Sequence, residues 1–162
     1  MNIFVLSKNP TSAAQMMCNK HVVKMIVEST QMLCTAHHYH LGKKASRKLY
    51  KPAYANHPCT VWARKTSSNY DWLLQHTEAL CEEYNLRYGK IHASSKLVSG
   101  ELQKNPCPVD KQTPFAQAMP KHLKSKDAVM AYRQYYKWKN DNAFLMKWKK
   151  RTAPVFMKRN ER

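Results

Sequence analysis

The sequence predicts an all-α protein: a single compact domain over residues 1–162, with three main helices, long irregular loops and an extended N-terminal segment. Apolar residues recur at three- and four-residue spacing through two long segments. Only 3 of the 162 residues are glycine, which leaves little material for tight β-turns. The length and an apolar content of 43% fit one domain with a real core.

Met1 to Ser7 reads as a short apolar run that threads through or beside the core. Asn9-Pro10-Thr11 opens the first helix, with Thr11 as its N-cap, and the helix runs from about Thr11 to His38 with Gly42 closing it. Projected at helical period, Met17, Lys20, His21, Lys24, Glu28, Gln31 and Thr35 share one wedge of roughly 100°. The remainder is nearly all apolar or small, including Val22, Val23, Ile26, Val27 and Leu33. Such a helix is expected to be packed on most sides, with one polar seam. Two readings stay open: a solvated strip, or the floor of a cleft in which the charges await a partner.

Lys43 to Asn56 is a basic loop, and a short helix begins at His57-Pro58. The second long helix runs from Ser67 or Ser68 to Tyr88, with Tyr70, Leu73, Leu74, Thr77, Leu80, Cys81, Tyr84 and Tyr88 as its core stripe and Gly89 as its stop. A weaker helix is expected over Ala93 to Gln103, ended by Asn105-Pro106-Cys107-Pro108. Residues 108–124 are irregular. Ser125 or Lys126 opens the third main helix, which runs to about Lys139. Asn142 to Lys150 adds a turn or two, and the tail after about residue 152 is expected to fray.

The charge is far from neutral: 28 Lys and Arg against 10 Asp and Glu, a formal +18. Thirteen of the basic and three of the acidic residues fall in 121–162. Self-repulsion on this scale points to a polyanion, with nucleic acid ahead of a membrane surface because no basic amphipathic anchor or lipidation signal is present. Five cysteines, odd in number and without CxxC or zinc-finger spacing, imply no disulfide framework, no metal site and a reducing, cytoplasmic compartment. The N-terminus lacks a signal peptide and nothing reaches the length of a membrane span. There is no Walker or Rossmann glycine pattern, no HExxH and no zinc-deaminase signature, and no cofactor is implied.

Lys20, His21, Lys24 and Glu28 form the leading constellation. Lys20 and Lys24 repel unless an anion lies between them; His21 is a candidate general acid or base; Glu28 either orients it, acts as a base or neutralises Lys24. His57, ahead of a helix, is a phosphate contact or a turn cap. On the second long helix Asn69, Trp72, His76 and Glu83 make a polar line, either a cleft wall or a solvated face, with Arg87 and His92 beyond it. Arg64 and Lys90 extend the cationic set. At the C-terminal end Tyr135, Lys137, Trp138, Lys139 and Trp148 interleave aromatics with cations, the mixture that base stacking plus phosphate contact requires. Tyr132, Tyr136 and Phe144 are assigned to packing.

Three segments resemble the small pyrimidine-dimer DNA glycosylase/AP-lyase family, the endonuclease V type of T-even phage. Lys20-His21-Val22-Val23-Lys24 stands where that family has an Arg-Glu-x-x-Arg turn. Tyr54-x-Asn56-His57-Pro58 resembles a Tyr-x-Asn-His-Pro stretch in its cousins, followed by a helix ending Glu82-Glu83-x-x-x-Arg87-Tyr88-Gly89. The aromatic-basic end resembles Trp-Tyr-Lys-Tyr-Tyr. The resemblance implies a phage-encoded monomer that binds double-stranded DNA in the host cytoplasm, grips and bends it, and acts on a base or its N-glycosidic bond. It implies phosphate binding by Lys20 and Lys24. In the family the α-amine of residue 2 attacks deoxyribose C1′; here Asn2 disfavours removal of Met1, so the Met1 amine is the candidate. The family's catalytic glutamate aligns with His21, and Glu28 is the nearest carboxylate on that wedge. Two alternatives remain: group transfer on a modified thymine, and sequence-tolerant DNA binding without catalysis.

Overall fold

The computed structural model describes residues 1–158, and among them every regular element is helical. The six α-helices are α1 (Pro10–Gln15), α2 (Asn19–Leu41), α3 (Pro58–Lys65), α4 (Ser67–Tyr88), α5 (Ser95–Val98) and α6 (Ala128–Asn142). Long α2 and α4 lie against each other, α1 and α3 pack on α4, and α3 also packs on α2.

Several boundaries differ from expectation: α2 runs on to Leu41 rather than His38, and α6, capped by Asp127, covers Ala128–Asn142 rather than Ser125 or Lys126 to about Lys139. The first long helix is two helices, broken over residues 16–18. The break has tertiary causes: the Arg87 guanidinium takes the carbonyls of Gln15 and Met17, and the Tyr136 hydroxyl takes the Cys18 N–H. These partners substitute for the ladder bonds a continuous helix would make. The N-cap of α1 is Asn9, whose Oδ1 accepts from Ser12 N–H, rather than Thr11. The weak helix expected over Ala93 to Gln103 is only α5 and a 3-10 turn at Glu101–Gln103. Gly42 and Gly89 close α2 and α4 at φ 52° and 63°, where a side chain would strain the backbone.

The segment Met1 to Leu6 runs through the core, with Ile3, Phe4, Val5 and Leu6 all buried. Phe4 adopts φ 57°, a left-handed conformation costly for a bulky residue. Asn2 organises it: Oδ1 accepts from Ile3 N–H and Phe4 N–H, while Nδ2 donates to the Ala118 carbonyl. No extra helical turn follows α6 before residue 150. Instead 147–151 straps onto the start of α2, with Asn19 N–H donating to the Lys147 carbonyl and Trp148 Nε1 to the Met16 carbonyl. Of the tail expected to fray, Val155–Met157 forms a 3-10 turn with Phe156 edge-on to Tyr136; residues 159–162 of that expectation lie outside the described residues.

Candidate nucleic-acid interface and reactive ledge

The polar seam of α2 is rotated from its projected position. Lys20, Val23, Lys24 and Val27 form the exposed edge, Glu28 and Gln31 are half-buried, and Met17, His21 and Thr35 are buried. Tertiary contacts choose the outward face: Phe4, Tyr136 and Phe144 cover His21, and the loop at Ala53 covers Thr35.

His21 is therefore not the proton carrier its residue type suggests. Its ring stacks on Phe4 with centroids 4.3 Å apart, and its Nδ1 lies 2.8 Å from the Tyr136 hydroxyl. Because that hydroxyl accepts from Cys18 N–H, its own proton is free to bond Nδ1, which places the imidazole proton on Nε2. Burial, reinforced by Lys139, Lys24 and Lys20, pushes the His21 pKa from 6.5 to about 3. The imidazole signals of His21 are expected to stay those of the neutral ring from pH 8 to about 4 in an NMR titration. The sign for stability follows: the unfolded chain binds this proton near 6.5 and the folded chain does not, so stability falls as pH drops from about 6.5 toward 3. An imidazole that titrates near 6.5 in the folded protein would contradict this burial.

Above His21 three ammonium groups converge. Lys20 Nζ lies 4.5 Å from the Phe144 ring centroid, and Lys139 Nζ lies 5.5–5.9 Å from those of Tyr135, Phe144 and Phe4. Burial, with Lys24 and Lys20 nearby, holds the Lys139 pKa below its usual value. Cation–π contacts offset part of the repulsion, and an anion between the three would offset more. Tyr135 continues this surface, stacked with Phe4 and with half-exposed Trp138; Lys137 beside them is exposed.

Two turns along α2 from His21, the chain's amino terminus meets a carboxylate. The Met1 α-amine is 3.7 Å from Glu28 Oε2, Asn2 N–H donates to the same oxygen at 3.1 Å, and Lys24 Nζ is 3.7 Å from Oε1. The Met1 side chain is 1% exposed although the residue is only half-buried, so its main chain is what reaches the surface. Glu28, at 13%, is a ledge rather than a pit; the described cavities, of about 390–620 Å³, lie elsewhere. His57 flanks the ledge: after burial, the N-terminal ammonium lowers its pKa and Glu28 opposes this. His57 also caps α3, its Nδ1 accepting from Cys59 N–H.

Other expected site residues are committed to structure. Asn69 bonds Trp62 and Thr113, Trp72 bonds Lys8, and His76 bonds Pro10. That polar line of α4 is neither cleft wall nor solvated face; it ties loops onto a central helix. Arg87 is 1% exposed and spends its guanidinium on Glu83, Asn19, Met17 and Gln15, out of reach of any ligand. Trp148 is occupied by Met16, and His92 caps a turn at Ser94. Arg64 bonds the Ala55 carbonyl, and Lys90 is exposed near the end of α4. The outward stripe of α4 carries Asp71, Glu78 and Glu82, so charge is segregated and a polyanion is repelled from that side. Among the described residues no three His, Cys, Asp or Glu side chains are grouped to hold a metal. All five cysteines are free, and burial raises Cys34 and Cys59 to about 11 and Cys107 to about 12, far from thiolate formation. No helix is long and apolar enough to cross a membrane among the described residues.

The family model described as pyrimidine dimer DNA glycosylase matches residues 1–97, the span from the amino terminus into α5. No curated protein and no solved structure matches the chain.

Proposed function

The chain belongs to the pyrimidine dimer DNA glycosylase family, and from that premise we propose that it binds duplex DNA as a monomer and cleaves an N-glycosidic bond with the Met1 α-amine as nucleophile. The observation that carries the reading is the meeting of that amine with Glu28 beside Lys24, one turn from the Lys20–Lys139 group.

The ammonium first gives a proton to the Glu28 carboxylate. The freed lone pair forms a bond to deoxyribose C1′. The bond from C1′ to the base breaks, and the base leaves with its electron pair and takes a proton from water. Nitrogen then gives its second proton to water, and its lone pair forms the double bond to C1′ as the C1′–O4′ bond breaks and O4′ takes the proton held by Glu28, which leaves a protonated imine between Met1 and C1′. Lys20, Lys24 and Lys139 hold the flanking phosphate, and His21, fixed by Tyr136, offers a neutral N–H donor to the same anion. The buried Met1 side chain anchors the amine in this arrangement.

Borohydride is expected to trap a covalent adduct on duplex carrying an abasic site, and peptide mapping should find it on Met1. Affinity should fall steeply with salt, with the slope set by the phosphates neutralised. A second reading, group transfer on a modified base, is favoured by the amine's engagement with Glu28, which suits a cationic anchor as well as a nucleophile. Salt-sensitive binding without an adduct selects the second reading or a binder without catalysis; a flat salt response rejects nucleic acid altogether.

A further inference from the structure

Among the described residues two large aromatic side chains are well exposed, Tyr39 and Tyr54, and Trp138 is half-exposed. Trp138 belongs to the lysine wall through Tyr135. The other two lie around Arg64, whose guanidinium sits 4.3 Å from the Tyr39 ring centroid and bonds the Ala55 carbonyl beside Tyr54.

Tyr54 is 70% exposed and adopts φ 47°, a conformation an aromatic residue rarely holds without support. The support is visible on both sides. Ala53 N–H donates to the buried Thr35 hydroxyl, whose own proton goes to the Gln31 carbonyl one turn back. The Tyr54 carbonyl accepts from His57 N–H, and the next carbonyl is taken by Arg64. An exposed ring on a backbone tied this firmly has lost little freedom that binding would still need to remove. The loop is also placed: its Ala53 is hydrogen-bonded to Thr35 in the body of α2, and it ends at His57, close enough to the N-terminal ammonium and Glu28 for both to shift its pKa. Glu28 to Thr35 is two turns of α2, about 10 Å. That is about three base steps of B-form DNA at 3.4 Å each.

We propose that Tyr54 is a stacking residue for DNA: its ring lies on a base left unstacked when the neighbouring nucleotide is drawn out to the Met1–Glu28 ledge. The geometry matches the need of an enzyme that extrudes a nucleotide, since the vacated stack must be filled or the helix closes again. Lys51, three residues before Tyr54, and Lys65, next to Arg64 at the end of α3, are exposed cations. The proposal rests on the DNA reading above and adds a residue that performs no chemistry.

The test uses the full chain and two duplexes, one intact and one holding a tetrahydrofuran abasic analogue with 2-aminopurine as its neighbour. Wild-type protein should quench the 2-aminopurine. Tyr54→Ala should lose the quenching and bind the analogue duplex roughly 5- to 100-fold more weakly, the effect of one base–aromatic stack. Its affinity for intact duplex should be unchanged, Tyr54→Trp should restore quenching, and the thermal midpoint should stay that of wild type because the ring touches solvent. Tyr54→Ala with wild-type quenching and affinity overturns this proposal while the DNA reading stands; so does equal weakening on both duplexes, which marks a general contact. Wild-type protein that binds neither duplex overturns both.

Discussion

Glu28→Gln is expected to lower the yield of borohydride-trapped adduct by about 10²- to 10⁴-fold, the usual weight of a positioned general base. The amide is nearly the shape of the carboxylate and its oxygen still accepts from Asn2 N–H, so the N-terminal segment keeps its path. What disappears is the negative charge that sits 3.7 Å from the amine, the proposed acceptor of its proton. Duplex affinity should stay or rise slightly, because one negative charge is removed next to Lys24. Adduct formation at the wild-type rate in this variant would show that Glu28 is only a partner for Lys24, and the proposed proton transfer would be wrong. Loss of both adduct and binding would instead mark a damaged fold, which circular dichroism of the variant resolves.

Glu83→Ala should be the most destabilising single change. Arg87 is buried in the interior, and Glu83 is its counter-ion at 3.0 Å. Removing one partner of a buried pair leaves an uncompensated charge, a cost of about 3–5 kcal/mol. In a chain of this length that lowers the melting temperature by roughly 6–20 °C. The damage spreads, because Arg87 also holds the carbonyls of Gln15 and Met17 and so fixes the break between α1 and α2. Arg151, the outer partner of Glu83, is exposed, and Arg151→Ala should cost at most about 1 kcal/mol. A melting temperature unchanged in Glu83→Ala would show that Arg87 finds enough acceptors without it.

Lys139, Tyr135 and Phe144 come from beyond residue 97 and complete the wall begun by Lys20 and Lys24. Sequence reasoning named Lys20, Lys24, Glu28, Tyr135 and Lys139 from residue type and helical spacing; the structure sets Lys20 and Lys139 on one aromatic surface and Lys24 against Glu28, and their role in a site is the proposal above. It misplaced His21 because helical projection gives an angle but not the direction of the core. It credited Arg87, Asn69 and Trp148 with an interface because cations, amides and indoles serve interiors and interfaces alike. It passed over Phe4 and Tyr39, whose importance lies in a backbone angle and a neighbour that no local pattern encodes, and it quoted Tyr54 as part of a motif without seeing its exposure.

The sequence by itself determined the all-helical class, the bodies of α3 and α4, the closure at Gly42 and Gly89, and the appetite for a polyanion. These follow from periodicity, backbone allowance and net charge, which act over a few residues or over the whole chain. The tertiary structure decided which face of α2 looks outward, where that helix breaks, which charges are consumed inside, and that the amino terminus comes to rest against Glu28. Each of those is a choice between partners distant in the chain, made by desolvation and hydrogen-bond satisfaction, and such choices exist only once the core has closed.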